Sequence, residues 1–428
     1  MKHLSMLAYR VMRLLSRWFL RILHPGLMVE GTEHIDATPG PIILAGNHPN
    51  TLVDPLIQGI HFKRRVHFMA NAGLFANPFM DKFLRFAGVI PIARRGIDGA
   101  AGRKVDNNKS FAEAYALFEA GGIMFVAPEG GSYLSRRLRR PLKTGTARMA
   151  FAAESANDWS LDLRVLPAGG NYFAPTAGFT PAYVRFGPTI RVADWREAYE
   201  ENPRQAIRSF TAAIGDAMAA LLIDTKDKTE ERCLRPIDRL VQNDAPLLTD
   251  AHLQRVNQLL AGLRTLDEET YETLCQQSKN YETLLKRAGI DDAVLSDHPS
   301  KKGPLGLWLG LPLFLYGAIN HLPLIFIVEK IWGALKIDTN YAGTVRGLTG
   351  TILLPIFYLL QSWLLSFWIG GWAWLYFFTL FPAGLFALAY YTTYRPFWAT
   401  VFGKRKVTEE MTTLRSSLKQ YADTWLNS

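Results

Sequence analysis

Cysteine is nearly missing from this chain: Cys233 and Cys275 are the two present among 428 residues. They lie far apart in sequence without metal-ligand spacing, so no disulfide framework is indicated and no metal site is expected. A reducing, cytoplasmic setting suits the soluble part. No Gly-x-Ser-x-Gly elbow occurs, which argues against a serine hydrolase of that type. Gly96, Gly99 and Gly102 lack the strand-then-helix context of a nucleotide fingerprint and read as a loop. Charge is missing from one long stretch. Leu348–Tyr394, 47 residues, holds no Asp, Glu, Lys, Arg or His.

What is present is apolar and basic. Hydrophobic residues make up 49% of the chain, with 11 tryptophans and a net charge of +10. Two membrane helices need about 40 apolar residues, and Leu348–Tyr394 supplies them, with Gly370-Gly371 placed to make the turn. Trp363, Trp368, Trp372, Trp374, Tyr390 and Tyr391 suit interfacial belts, and Arg346 and Arg395 bracket the run, predicting both ends on the positive, cytoplasmic side. Gly303–Val328 is a second run without Asp, Glu, Lys or Arg, interrupted by Pro312, Asn320, His321 and Pro323. Lys301-Lys302 before it and Lys330 after it favour a re-entrant or in-plane hairpin over a single crossing. Near the N-terminus, Arg10, Arg13, Arg17 and Arg21 recur every three to four residues among leucines, Trp18 and Phe19. That is the pattern of an amphipathic helix at an anionic interface, or of one packed on the following domain.

The chemistry concentrates at strand ends. Pro41-Ile42-Ile43-Leu44-Ala45 reads as a buried strand, followed by Gly46-Asn47-His48-Pro49-Asn50-Thr51-Leu52-Val53-Asp54. A His and an Asp here supply a base and the group that orients it. Six residues apart, they meet only if the chain turns, for which Pro49 and Asn50 are suited; Asp54 then falls in a helix's first turn. Three more apolar strands end in special residues. Gly88-Val89-Ile90-Pro91-Ile92-Ala93 leads to Arg94-Arg95, Ile123–Ala127 to Pro128-Glu129-Gly130-Gly131-Ser132, and Arg164-Val165-Leu166-Pro167-Ala168 is the third. In open α/β sheets the ligand crevice lies beyond the carboxyl ends of the strands, so these clusters can converge.

In type, order and spacing, the four segments resemble the four blocks of the glycerol-3-phosphate and lysophosphatidate acyltransferase superfamily, over roughly residues 30–195. The departures are an extra residue between His48 and Asp54, and Ala-Pro-Glu-Gly-Gly in place of Phe-Pro-Glu-Gly-Thr. The resemblance implies an α/β fold, a mixed-sheet acyltransferase domain with flanking helices, joined to a C-terminal helical membrane region. It implies His48 as general base and Asp54 as its partner, with Asn47, Gly88, Arg94, Glu129, Gly130, Ser132 and Lys143 at the substrates. Arg94 would grip the acceptor phosphate. Glu129 and Gly130 would shape the acceptor pocket.

The implied partners are membrane lipid, a phosphorylated glycerol acceptor and a thioester co-substrate, acyl-CoA or acyl carrier protein, with no other cofactor. The basic stretch Arg136, Arg137, Arg139, Arg140 and Lys143 suits a donor phosphate or an anionic lipid surface. No nucleic-acid fold accompanies it. The expected organisation is an interfacial helix (1–24), the acyltransferase domain (25–222), a charged helical insert (223–300), membrane-embedded hairpins (301–400) and a tail helix (401–428). A lipid hydrolase or thioesterase, and a non-catalytic lipid-binding scaffold on the same fold, stay open at this level.

Overall fold

A computed structural model describes the chain except residues 1, 25–26, 52, 76, 94–106, 134, 173–181, 248, 297–303, 336–341, 404–405 and 428. It divides into two compact units, Met1–Asp224 and Thr225–Ser428.

The first unit is built on an eight-stranded sheet: β1 (Met28–Glu30), β2 (Ile42–Gly46), β3 (Val66–Asn71), β4 (Val89–Ile92), β5 (Ile123–Val126), β6 (Arg164–Tyr172), β7 (Ala182–Phe186) and β8 (Ile190–Arg191). Its order is β1-β7-β6-β2-β5-β3-β4, with β8 on β6. Neighbours from β6 to β4 run parallel, while β6 pairs antiparallel with β7 and β8, so the sheet is mixed. Strand β2 is fully buried, as its unbroken apolar run requires of a central parallel strand. Its alternate residues feed opposite faces. Ile43 and Ala45 join one core with Phe118, Phe151 and Phe210, under helices Asn107–Glu119, Gly145–Ala156 and Pro203–Ala219. Ile42 and Leu44 join the other with Leu20 and Ile57, from helices Lys2–Leu23 and Val53–Gly59.

The N-terminal helix is docked on this unit. Arg13 donates to the Phe62 carbonyl at 2.6 Å and Arg17 to that of Ile60 at 2.9 Å, while Leu20 is wholly buried. Val11, Leu14, Leu15 and Trp18, spaced to share another face of the helix, stay exposed. The two alternatives of the sequence reading are thus compatible: one face packs, the other is free.

The second unit differs from the expected division, because insert, apolar helices and tail belong to one unit. Helices Lys228–Asp244, Thr249–Leu263 and Glu268–Ala288 pack with the tail helix Glu409–Leu426. Arg415 of the tail lies 2.6 Å from Asp244 and 3.0 Å from Asp292, all three buried. Asp227 and Asp267 cap two of these helices through their side chains.

Two helical stretches, Leu305–Leu335 and Val345–Tyr394, are long and apolar enough to cross a membrane. The second breaks at the Gly370–Trp372 turn, with Gly370 at φ 57°, separating helices Ala342–Ile369 and Ala373–Gly403. The first corrects an expectation. Instead of a re-entrant or in-plane hairpin, Pro304–Leu335 is one 32-residue helix running through Pro312 and Pro323. Neighbouring helices and polar side chains make such prolines tolerable in apolar surroundings. Arg346 is likewise part of a helix and pairs with Glu329 at 2.7 Å.

Candidate active site

Strands β2 and β5 are hydrogen-bonded neighbours, in register from Ile42↔Ile123 to Ala45↔Val126. Their carboxyl ends therefore lie side by side, although the residues that follow, His48 and Glu129, are 81 apart in sequence. Beyond β2 the chain bends back into helix Val53–Gly59, with Asp54 in its first turn. The bend brings His48 Nδ1 to 3.1 Å from Asp54 Oδ2. The Asp54 side chain is fully buried, and Oδ2 also accepts from the Asn50 N–H at 2.5 Å. The imidazole is about one-fifth exposed, with Phe125 edge-on at 6.3 Å. With Nδ1 engaged by the carboxylate, Nε2 is left as the nitrogen for a substrate proton.

The turn after β5 clamps this loop. Glu129 Oε1 accepts from the His48 N–H at 2.9 Å, and Oε2 from the Arg139 N–H at 3.1 Å. The Tyr133 N–H donates to the His48 carbonyl at 3.0 Å, and the Thr51 N–H to Ser132 Oγ at 3.1 Å. Thr51 holds φ 34°, a left-handed conformation costing about 1 kcal/mol, which the clamp helps to offset. Burial raises the pKa of Glu129, and its bonds to the His48 and Arg139 amides only partly counter that. In this geometry Glu129 and Ser132 hold His48 in place.

Asn47 is also committed to structure. Its Nδ2 donates to the Gly170 carbonyl at 2.9 Å, and Oδ1 accepts from the Gly170 N–H at 2.7 Å. The side chain thus extends the β2–β6 ladder past the last residue of β2. Gln58 donates to the Asn47 carbonyl at 3.2 Å, and its Oε1 lies where a β-carbon on Gly46 would sit, 1.9 Å away. Any larger residue at position 46 would have to displace the buried Gln58 and Phe125 side chains. Tyr172 completes this buried cluster. Burial and the Asp54 charge raise its pKa well above the usual tyrosine value.

The other expected site residues fall in different places. Gly130, at φ 74°, packs against Lys143, whose side chain is exposed and whose N–H donates to the Pro128 carbonyl at 2.8 Å. Gly88, at φ 86°, precedes β4 and so lies at the opposite end of the sheet from His48. Arg94 lies outside the described residues. In the basic stretch, Arg140 pairs with Asp216 and Asp224, while Arg139 covers the Tyr133 ring at 3.7 Å. Among the described residues no group of three or more His, Cys, Asp or Glu is placed to hold a metal ion.

Sequence reasoning missed Gln58, Gly170 and Tyr172, and read Asn50 as a turn residue without its bond to Asp54. The Gly169-Gly170 pair at the end of β6 was the available signal, since glycines inside a strand mark a close approach.

Residues 26–169 match the family model described as Acyltransferase. That match supports the resemblance of this segment to the glycerol-3-phosphate and lysophosphatidate acyltransferase superfamily. The chain is 29% identical over 126 residues to an uncharacterized acyltransferase of Schizosaccharomyces pombe, covering 29% of this chain and 18% of that protein. It is 26% identical over 140 residues to glycerol-3-phosphate O-acyltransferase 1 of Saccharomyces cerevisiae, covering 32% and 18%. The chain thus spans less than a fifth of either yeast protein. A 1-acyl-sn-glycerol-3-phosphate acyltransferase of Borreliella burgdorferi is 26% identical over 213 residues, covering 48% of this chain and 76% of that one. The crystal structure of the 1-acyl-sn-glycerophosphate acyltransferase from Thermotoga maritima aligns with a TM-score of 0.36 at 16% identity, over 51% of this chain and 80% of that one.

Proposed function

We propose that this chain is a membrane-bound O-acyltransferase that moves a fatty acyl group from an acyl thioester to a hydroxyl of glycerol 3-phosphate or 1-acylglycerol 3-phosphate. The observation that carries the reading is the 3.1 Å contact between His48 Nδ1 and the buried Asp54 carboxylate.

His48 Nε2 takes the proton of the acceptor hydroxyl as its oxygen attacks the thioester carbonyl. Asp54 fixes the imidazole tautomer and stabilises the imidazolium that forms. The tetrahedral intermediate collapses with loss of the donor sulfur, which leaves as a thiol once protonated by His48. The products are an oxygen ester and free thiol. Arg94 is assigned to the acceptor phosphate, Lys143 to a phosphate of the donor, and Gly130 to a close backbone approach in the acceptor pocket. The thioester, from coenzyme A or acyl carrier protein, is a co-substrate and no further cofactor is invoked.

Membrane residence supports the chemistry. Each methylene of an acyl chain costs about 0.8 kcal/mol to expose to water, so delivery through lipid avoids a large barrier. The catalytic domain is assigned to the cytoplasmic face. The test is an acceptor panel on purified protein in lipid vesicles. One radiolabelled acyl thioester is offered with glycerol 3-phosphate, dihydroxyacetone phosphate, lysophosphatidate or no acceptor. Ester formation that requires a phosphorylated glycerol is expected. Thioester hydrolysis independent of acceptor would contradict the reading and favour a thioesterase.

A further inference from the structure

The apolar part of the second unit contains three long helices, and three crossings would put its two flanks on opposite faces of a membrane. The flanks are instead together. Arg415, after the last apolar helix, is in buried contact with Asp244 and Asp292, which precede the first, and the Tyr281 hydroxyl also bonds Asp292. Lys419 adds a contact at 2.9 Å to Asp244. Such a network cannot form across about 30 Å of hydrocarbon. The number of crossings is therefore even.

The register along Pro304–Leu335 gives the path. Its first half is met by the last helix: Tyr390 donates to the Leu307 carbonyl at 2.6 Å, and the Tyr376 hydroxyl to Asn320 Oδ1 at 2.6 Å. Its second half is met by the middle helix: the Tyr358 hydroxyl lies 2.6 Å from His321 Nε2, and Arg346 2.7 Å from Glu329. Both run antiparallel to Pro304–Leu335. They meet at its midpoint, where Gln361 of one donates to the Asn320 carbonyl at 2.8 Å and Tyr376 of the other to its side chain. The two helices share one return path. The turn between them, Gly370–Trp372, projects as an elbow with Trp368 79% and Trp372 73% exposed.

Helix Pro304–Leu335 also lacks the polar face that an in-plane helix needs. Leu305, Leu309, Ile319, Leu322 and Phe326, all more than half exposed, share one arc of the helix, and the exposed Leu313 and Ile325 extend that arc on either side to about 240°. From Pro304 to Val328 it is about 37 Å long, enough to cross. Lys and Arg are denser at the flanks, with Lys301, Lys302, Lys404, Arg405 and Lys406, than around Lys330, Lys336 and Arg346 at the far end.

We propose that the C-terminal unit crosses the bilayer twice: out through Pro304–Leu335, and back through the two following helices stacked as halves of one crossing. Both flanking helical segments lie on the cytoplasmic face, and Gly333–Leu335 emerges on the other. The tryptophan elbow sits in lipid. This rests on the membrane-bound reading of the chain but not on its catalysis, because thiol labelling needs no turnover.

The test is labelling of single cysteines at exposed positions in a Cys233→Ser, Cys275→Ser background. Lys279→Cys, Ala334→Cys, Gly371→Cys and Asn427→Cys are each placed in sealed right-side-out and inside-out vesicles and treated with a membrane-impermeant maleimide. All four should label in detergent, which establishes that the thiols are reactive. In sealed vesicles, positions 279 and 427 are expected to label from the cytoplasmic face, 334 from the opposite face and 371 from neither. Labelling of 334 from the same face as 427, of 279 and 427 from opposite faces, or of 371 in sealed vesicles overturns the proposal.

Discussion

Asn47 and Gly170 exchange two hydrogen bonds, 2.9 and 2.7 Å, between a side-chain amide and a backbone. Position 47 immediately precedes His48, so this exchange sets where the loop leaves the sheet. Asn47→Ala strands the Gly170 N–H and carbonyl in a buried site, at a cost of about 2–4 kcal/mol. Thermal unfolding of the variant should show that loss, together with reduced acyl transfer. Asn47→Asp keeps the acceptor and loses the donor, and should fall between the two.

Glu129 ties the His48 and Arg139 amides together, and burial lifts its pKa above the usual carboxylate range. The raised value means that its contribution to stability is greatest below about pH 4.3, the unfolded value, and is lost as pH rises through the folded one. Function has the opposite sign, because the clamp needs an acceptor at both oxygens. The wild-type pH–rate profile is expected to carry an acid limb from Glu129. Glu129→Gln turns an N–H toward an N–H; a low rate lacking that limb is expected.

His61 is largely buried beside Arg17 of the N-terminal helix, and burial, then the Arg17 charge, lower its pKa to about 4. A depressed value gives stability that is full above about pH 6.5 and is lost as pH falls through 4. The shift corresponds to at most about 3 kcal/mol. Chemical denaturation of the first unit at pH 7 and pH 4 should differ by up to that amount. His61→Phe should narrow the difference.

Arg415→Leu leaves Asp292 buried without its cation and Asp244 with Lys419 alone, which costs about 3–5 kcal/mol. Burial raises the pKa of Asp244, but bonds from Arg415 and Lys419 outweigh it and hold the carboxyl below its usual value. Stability from that group is present above about pH 3.9 and is lost as pH falls through the folded value. Circular dichroism of the full chain in lipid should show acid melting of the flanking helices at higher pH in Arg415→Leu.

How much was legible in the sequence varies by element. Strand β2 was readable because a continuous apolar run is what a strand buried on both faces requires. The bend joining His48 to Asp54 was readable from Pro49 and Asn50. The role of Glu129 was not, because its partners are backbone amides brought near by the β2–β5 pairing across 81 residues. Asn47 was hidden likewise, since Gly170 lies 123 residues away. In the apolar region the runs were plain, but two prolines suggested a break in a helix that continues through both. The tail's place in the second unit rests on Arg415 meeting acids 171 and 123 residues distant. No local pattern carries such a pairing.

The most direct test of the account is the rate of acyl transfer by His48→Ala against wild type, in lipid, with a labelled thioester and a phosphorylated glycerol acceptor. Loss of general-base catalysis predicts a drop of about 10²–10⁴-fold with membrane association unchanged. A variant that folds, binds membrane and turns over at the wild-type rate would contradict it.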